Sequence, residues 1–252
     1  MTPFACRVAT YNIHACRGRD QRFDLPRIVD VLAELDADVV ALQEVESRAD
    51  YSAIDQFEAL EEACGLHALP GAVVAGGCGG SYGNMILSRF PAHVVGRIDL
   101  AQPGREPRGA LEAEIRPENR SSFRFVATHL GLLAAERRAQ FAALADGLDD
   151  RAAPVIIAGD LNEWLPFRRH LRDWRRRFAA GRGQPSFPSG TPLFALDRIF
   201  GLGEVAIRRQ FVHGSALARI ASDHRPVVAD LKLRLAEDIV AAPQRVLAVS
   251  RF

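Results

Sequence analysis

The chain has 252 residues, 48% of them hydrophobic and 25% charged, with a formal net charge of +1. That length buries a sizeable core, and the balance excludes a disordered chain and a general attraction to polyanions, leaving only a local basic patch open. No run of about 18 apolar residues suggests a membrane span, and the N-terminus lacks the apolar stretch of a signal peptide, so a soluble cytoplasmic monomer is expected.

Residues Arg7 to Ile13 alternate as a short strand. A helix follows, with Asp24 at its cap and Pro26 in its first turn. It carries Leu25, Ile28, Val29, Leu32 and Leu35 on one face. The segment Val39 to Gln43 reads as a strand ending on Glu44, and Ala53 to Cys64 as a second helix. From Gly71 to Leu130 strands follow strands, separated by glycine-rich turns. "AAERRAQFAALADGL" reads as an amphipathic helix, and Val155 to Ala158 as a strand buried on both faces. Gly159 is expected to let the backbone turn tightly after it. "FRRHLRDWRRRF" reads as a short helix, "PSFPSGTP" as a loop, and "LFALDRIF", "VAIRRQFV" and "RPVVADLKL" as the last strands. Helices alternate with strands only in part, which favours mixed sheets covered by helices. The domain is set at 1–235, with a tail at 236–252 that packs on it or extends it as a helix or edge strand. Cys6, Cys16, Cys64 and Cys78 form no CxxC pair and read as reduced thiols.

The strand ends share a chemistry. Asn12 and His14, Glu44, His129, Asp160 and Asn162, Asp197, and the pair Asp223 and His224 each border an apolar run. One such residue is ordinarily a turn or a cap. Six segments doing the same imply a shared cleft if the ends converge. Glu44, Asp160, Asn162 and Asp223, with Asn12 as an amide oxygen, offer hard ligands suited to Mg²⁺ or Mn²⁺. His129 and His224 can donate to phosphoryl oxygens, and Asp197 can hold one imidazole protonated. No nucleophile elbow and no phosphate-cradling P-loop is present.

The ordered pieces "TYNIH", "LQE", "THL", "GDLN", "LDRIF" and "SDHRPVV", from Thr10 to Val228, resemble the endonuclease/exonuclease/phosphatase superfamily. The resemblance implies a DNase I-like four-layered α/β/β/α sandwich, with two packed mixed sheets flanked by helices. It also implies divalent-metal-dependent hydrolysis of a phosphoester. By it, Glu44 is the main metal ligand with Asn12 close by, and Asp223 is a metal-side carboxylate or an orienter. Asp160 orients or deprotonates water, and Asn162 places water and phosphate. His224 contacts phosphate, paired with Asp197, and His129 fills the position of a His or Tyr against the phosphate. Arg108 and Asn84 are assigned to substrate binding, and Glu112 is the suggested partner of His129. Where many members carry an Asp two residues after the first Asn, this chain has His14. The implied enzyme is a phosphodiesterase or nuclease. The alternatives are a phosphatase, an enzyme of phospholipids or inositol phosphates, and a silent phosphate-binding protein. The arginine-rich helix reads as a solvated face with Trp174 and Phe178 inward, or as a contact for nucleic-acid backbone or anionic headgroups.

Overall fold

The alternation around "VATYN" extends over nine residues as strand β1 (Phe4–Asn12) in the computed structural model, which describes residues 3–48, 50–75, 80–148 and 153–236. The glycine run holding Cys78 and the tail 237–252 lie outside the described residues. A short 3₁₀ turn at His14–Cys16 follows β1. Helix α1 (Leu25–Leu35) starts where Asp24 accepts from the Arg27 backbone N–H at 3.0 Å. Its inward face is Leu25, Ile28, Val31, Leu32 and Leu35, so helical spacing selects Val31 and leaves Val29 half-buried. Strand β2 (Val39–Glu46) then leads to α2 (Gln56–Cys64). This helix begins later than Ala53 because Asp55 caps it, accepting from Phe57 N at 2.9 Å and Glu58 N at 3.3 Å.

Five strands follow in succession: β3 (His67–Ala75), β4 (Ser81–Ser88), β5 (Ala92–Asp99), β6 (Gly109–Ile115) and β7 (Phe123–His129). Then come α3 (Ala134–Gly147), β8 (Val155–Asp160), α4 (Arg169–Arg177), β9 (Ala179–Ala180), β10 (Asp197–Leu202), β11 (Val205–Val212), α5 (Ala218–Ala221) and β12 (Val227–Leu233). Two mixed sheets of six strands result, in the orders β11-β12-β1-β2-β4-β3 and β5-β6-β7-β8-β10-β9.

Side-chain parity decides the layers. On β1, Cys6 and Val8 enter the core between the sheets with Phe125, Ala127, Ile156, Ala158 and Ile199. Ala9 and Tyr11 face the other way, into a cluster with Ile28, Val31 and Leu60 of α1 and α2. On the second sheet, Val126, Val155, Ile157 and Phe200 face away from the first, against Phe141, Leu144, Leu171 and Trp174 of α3 and α4. Three apolar clusters thus fill the three interfaces of an α/β/β/α sandwich. Among the described residues no helix is long and apolar enough to cross a membrane.

Strand direction places one edge of the sandwich. β1 and β2 run parallel, as do β7 and β8, while β12 is antiparallel to β1 and β10 to β8. The C-terminal ends of four strands therefore meet the N-terminal ends of two others along one rim. Gly159 serves close approach there, and not the turn the sequence suggested. A Cβ on it would lie 2.0 Å from the Thr128 carbonyl oxygen of the parallel neighbour β7.

Candidate active site

The parity that sends Val8 between the sheets sends Asn12 there too, at the last residue of β1. The same rule carries Asp160 with Ile156 and Ala158, His129 with Phe125 and Ala127, and Asp197 with Ile199. Four polar side chains thus cap one end of the inter-sheet core.

Glu44 breaks the rule. Simple alternation would point it with Leu42 toward α1 and α2. The pairing of β2 with β4 shifts register between Leu42 and Val45, and Glu44 adopts φ 59° inside that bulge. The extra residue redirects its carboxylate to the rim, where Asn12 Nδ2 donates to Glu44 Oε1 at 2.9 Å. The same nitrogen lies 3.2 Å from Asp160 Oδ2. Asn12 thus presents its amide nitrogen to the carboxylates. Its oxygen, expected to face a metal, accepts instead from the His14 backbone N–H at 3.0 Å.

Asp160 is the hub. Its Oδ1 accepts from Asn162 N at 2.9 Å, which holds Asn162 at φ 49°. Its Oδ2 lies 3.6 Å from both His129 Nε2 and His224 Nε2. Burial pushes the Asp160 carboxyl well above the usual range; the His224 charge opposes this and Asp197 adds to it. Burial also raises Glu44. The Asn12 bond pulls it back, and the charge of Asp223 pushes it up again. Asp223 itself is half-exposed, with Oδ1 3.8 Å from His14 Nδ1 at the mouth.

The two imidazoles take opposite states. Burial works against a charge on His224, but Asp197 Oδ2 at 2.9 Å from Nδ1, with Asp160 behind it, pushes its pKa up to about 10. Ser186 Oγ donates to the same Asp197 oxygen at 2.5 Å, and the Phe187 ring stands 4.7 Å from the His224 ring. His129 is held well below its ordinary value by burial, then by Arg108, then by His224. Arg108 Nη1 lies 3.2 Å from His129 Nδ1. Both ring nitrogens face donors, the Arg108 guanidinium at Nδ1 and Asn162 Nδ2 at 3.1 Å from Nε2, and a neutral ring can accept from one only; the charged donor has first claim, so Nδ1 is assigned as the acceptor and the ring proton to Nε2, toward Asp160, with Asn162 Nδ2 bonded to Leu130 alone. Glu112 is not the partner of His129: it is buried in an ion pair with Arg124. An arginine occupies the place where an acid was sought.

Asn162 Nδ2 sits 3.1 Å from His129 Nε2 and donates to the Leu130 carbonyl at 2.9 Å, tying the ends of β7 and β8 together. The two residues assigned to substrate are engaged with protein. Arg108 pairs with His129 and with Glu106 at 2.7 Å. Asn84 is buried on β4 and donates across the sandwich to the Gly109 carbonyl at 3.0 Å, leaving its Oδ1 without a partner among the described residues. Ser222 was missed. Its hydroxyl donates to the Asn12 carbonyl at 2.7 Å and accepts from His224 N at 3.2 Å, joining β1 to the segment before β12. It stands inside "SDH", yet a serine beside two stronger candidates carries no signal of its own.

A profile described as the Endonuclease/Exonuclease/phosphatase family matches residues 9–224. The protein YbhP of Escherichia coli K12 is 30% identical over 254 residues, covering 91% of this chain and 97% of that protein. A solved endonuclease/exonuclease/phosphatase from Beutenbergia cavernae superposes with a TM-score of 0.76 at 27% identity, covering 91% of this chain and 72% of that one. A family protein from Bacteroides thetaiotaomicron superposes with a TM-score of 0.74 at 16% identity, covering 93% of this chain and all of the other.

Proposed function

The chain belongs to the endonuclease/exonuclease/phosphatase family, whose members are phosphoester hydrolases, and from that premise we propose that it cleaves phosphodiesters by attack of water, with Mg²⁺ or Mn²⁺ bound at the rim. The observation that carries this reading is the convergence on Asp160. A buried carboxylate is held between one neutral and one charged imidazole, with Asn12 and Glu44 alongside.

The donor set fits a hard dication. Glu44, Asp160 and Asp223 bring three carboxylates to one rim, and the raised pKa of Glu44 and of Asp160 records burial that a cation would offset. The buried group Asp160, Asp197 and His224 has metal-like spacing. It fits poorly, because His224 Nδ1 is spent on Asp197 and its charged ring has no free lone pair. When bound, the ion polarises a phosphoryl oxygen and offsets the charge that develops on it.

The remaining work falls to the chain. Asp160 Oδ2 accepts from water and orients it, and its raised proton affinity makes it a stronger base than an ordinary carboxylate. His224 donates from Nε2 with a full positive charge, held there by Asp197. His129 donates from Nε2 as a neutral ring, because Arg108 occupies Nδ1. Asn162, anchored on Leu130, keeps a further N–H beside His129. Such donors, fixed before charge appears, stabilise an oxyanion without reorganising. Hydrolysis of bis-p-nitrophenyl phosphate, dependent on Mg²⁺ or Mn²⁺, abolished by EDTA and faster than that of the monoester, is the expected result. Turnover that EDTA leaves intact, or a monoester preference, refutes the proposal.

A further inference from the structure

Two loops leave the rim beside the proposed catalytic groups. One runs from His129 to α3 and the other from Asn162 to α4. A buried ion pair joins them, Arg137 Nε to Glu163 Oε2 at 3.2 Å. Arg137 also donates to the carbonyls of Gly131 and Leu132, and Glu163 Oε1 accepts from Leu165 N at 3.0 Å. The backbones of Leu132 and Leu165 are therefore fixed to the same ion pair.

The side chains they carry face solvent. Leu132 is 62% exposed, Leu133 46%, Leu165 36% and Phe167 67%. Scattered exposed leucines are ordinary, but four large apolar side chains on two joined loops form a patch that calls for a partner. The charge around the patch is mostly of one sign: exposed Asp173, just beyond it, pairs with Arg169 at 3.7 Å, and Glu163 is buried in its ion pair with Arg137. Residues 131–139 and 164–172 contain a single acid, Glu136, which is buried. The same segments expose Arg138, Arg168, Arg169 and Arg172.

We infer that this surface docks the protein on an anionic phospholipid membrane, with the apolar tips in the acyl boundary and the arginines at headgroup phosphates. Three of the four tips are leucines, which favours a bilayer: single-stranded nucleic acid is gripped by aromatic rings on its bases, and apolar wedges enter duplex DNA only where they kink it from the minor groove. A bilayer offers both phosphates and an apolar interior. Docking here sets the rim against the membrane, so the favoured substrate class is a phosphodiester in a lipid headgroup. That last step rests on the hydrolase reading, and the docking does not.

The test is sedimentation of the full chain with vesicles of phosphatidylcholine, with or without phosphatidylglycerol. The protein pellets with the anionic vesicles only, and less so at high salt. Phe167→Ser lowers partitioning about tenfold, the scale of exposing a large apolar side chain. Arg168→Ala with Arg172→Ala lowers it about 25-fold, at about fivefold per arginine near an anionic surface. All three substitutions are on exposed positions and leave bis-p-nitrophenyl phosphate hydrolysis at the parent rate. A parent without that hydrolysis defeats the hydrolase reading while the vesicle result stands. Equal pelleting with both vesicle types, no pelleting, or parent-like binding by Phe167→Ser overturns the docking. Retention on DNA that the arginine substitutions abolish, without vesicle binding, overturns it in favour of nucleic acid.

Discussion

Asp197→Asn isolates the charge on His224 from its geometry. The two shapes match, so the introduced amide oxygen can still accept from His224 Nδ1, now 2.9 Å from Asp197 Oδ2, and from Ser186. The negative charge is lost, and that charge is the largest of those, with Asp160 and Asp223, that override burial and raise His224 from 6.5 to about 10. At about 1.4 kcal/mol per pH unit, the carboxylates favour the charged ring by several kcal/mol. The introduced amide nitrogen takes the place of Oδ1, which has no partner among the described residues, and so adds a buried unpaired donor costing about 1–3 kcal/mol. Histidine ring NMR in metal-free protein should show His224 titrating well below the parent value, with Asp160 still holding part of the rise. kcat/KM on bis-p-nitrophenyl phosphate should fall about 10²–10³-fold. The residual rate should climb as pH drops through that lowered value, where the imidazolium returns. The stability effect has a definite sign. A pKa raised on folding contributes fully below 6.5, and that contribution is lost as pH rises from 6.5 toward 10. Parent stability to urea should decline across that window, and the variant should show a smaller decline that ends at lower pH. A variant with parent-like titration of His224 or unchanged kcat/KM refutes the reasoning.

Arg108→Met removes the donor that fixes the His129 tautomer. Ring nitrogen shifts should show proton density moving to Nδ1, the pKa of His129 should rise, and kcat should fall about tenfold or more with KM little changed. Glu163→Gln leaves Arg137 buried without its counter-ion and should cost about 3–5 kcal/mol by urea unfolding at neutral pH. Burial works against the Glu163 charge, but Leu165 N, His170 and Arg137 outweigh it and lower the pKa. Its contribution is therefore present above 4.5 and lost as pH falls through the folded value, so the gap between parent and variant should close in acid. Glu44→Gly relieves a left-handed backbone at φ 59° and removes a half-buried carboxylate beside Asp223, at the loss of its bond from Asn12. Thermal stability without metal should rise by roughly 1 kcal/mol, while calorimetry should show weakened Mg²⁺ or Mn²⁺ binding.

What the sequence made legible was what periodicity and local chemistry control. Val155 to Ala158 declared a buried strand, Asp24 and Pro26 declared a helix start, and the polar residues at strand ends declared a rim. Long-range pairing was not legible. Nothing local to His129 says that its neighbour is Arg108, 21 residues earlier, because β6 and β7 must first pair. Glu112 was a reasonable acid to choose, but Arg124 claims it. Asn12 illustrates a finer limit. Its position at the rim follows from β1, whereas the direction of its amide depends on the His14 backbone turning back to take the oxygen. The Ser186 and Ser222 hydroxyls do their work through tertiary contacts alone, and their hydrogen bonds reach β10 and β1 from loops.

The bulge at Glu44 shows why a site of this kind resists reading from strand pattern. Each of the other core strands can reach the rim by regular alternation, since Asn12, His129, Asp160 and Asp197 share parity with inter-sheet residues. β2 cannot do so at residue 44, because Gln43 already takes the inter-sheet direction, accepting from Thr10 Oγ1 at 3.1 Å. Two consecutive residues can face the same side only if one is added to the ladder, and the cost is a glutamate in the left-handed region. The strain lies at the residue whose carboxylate is also raised by burial. Two unfavourable features at one position, neither required by the core, are what the proposed role of Glu44 as a cation ligand would account for.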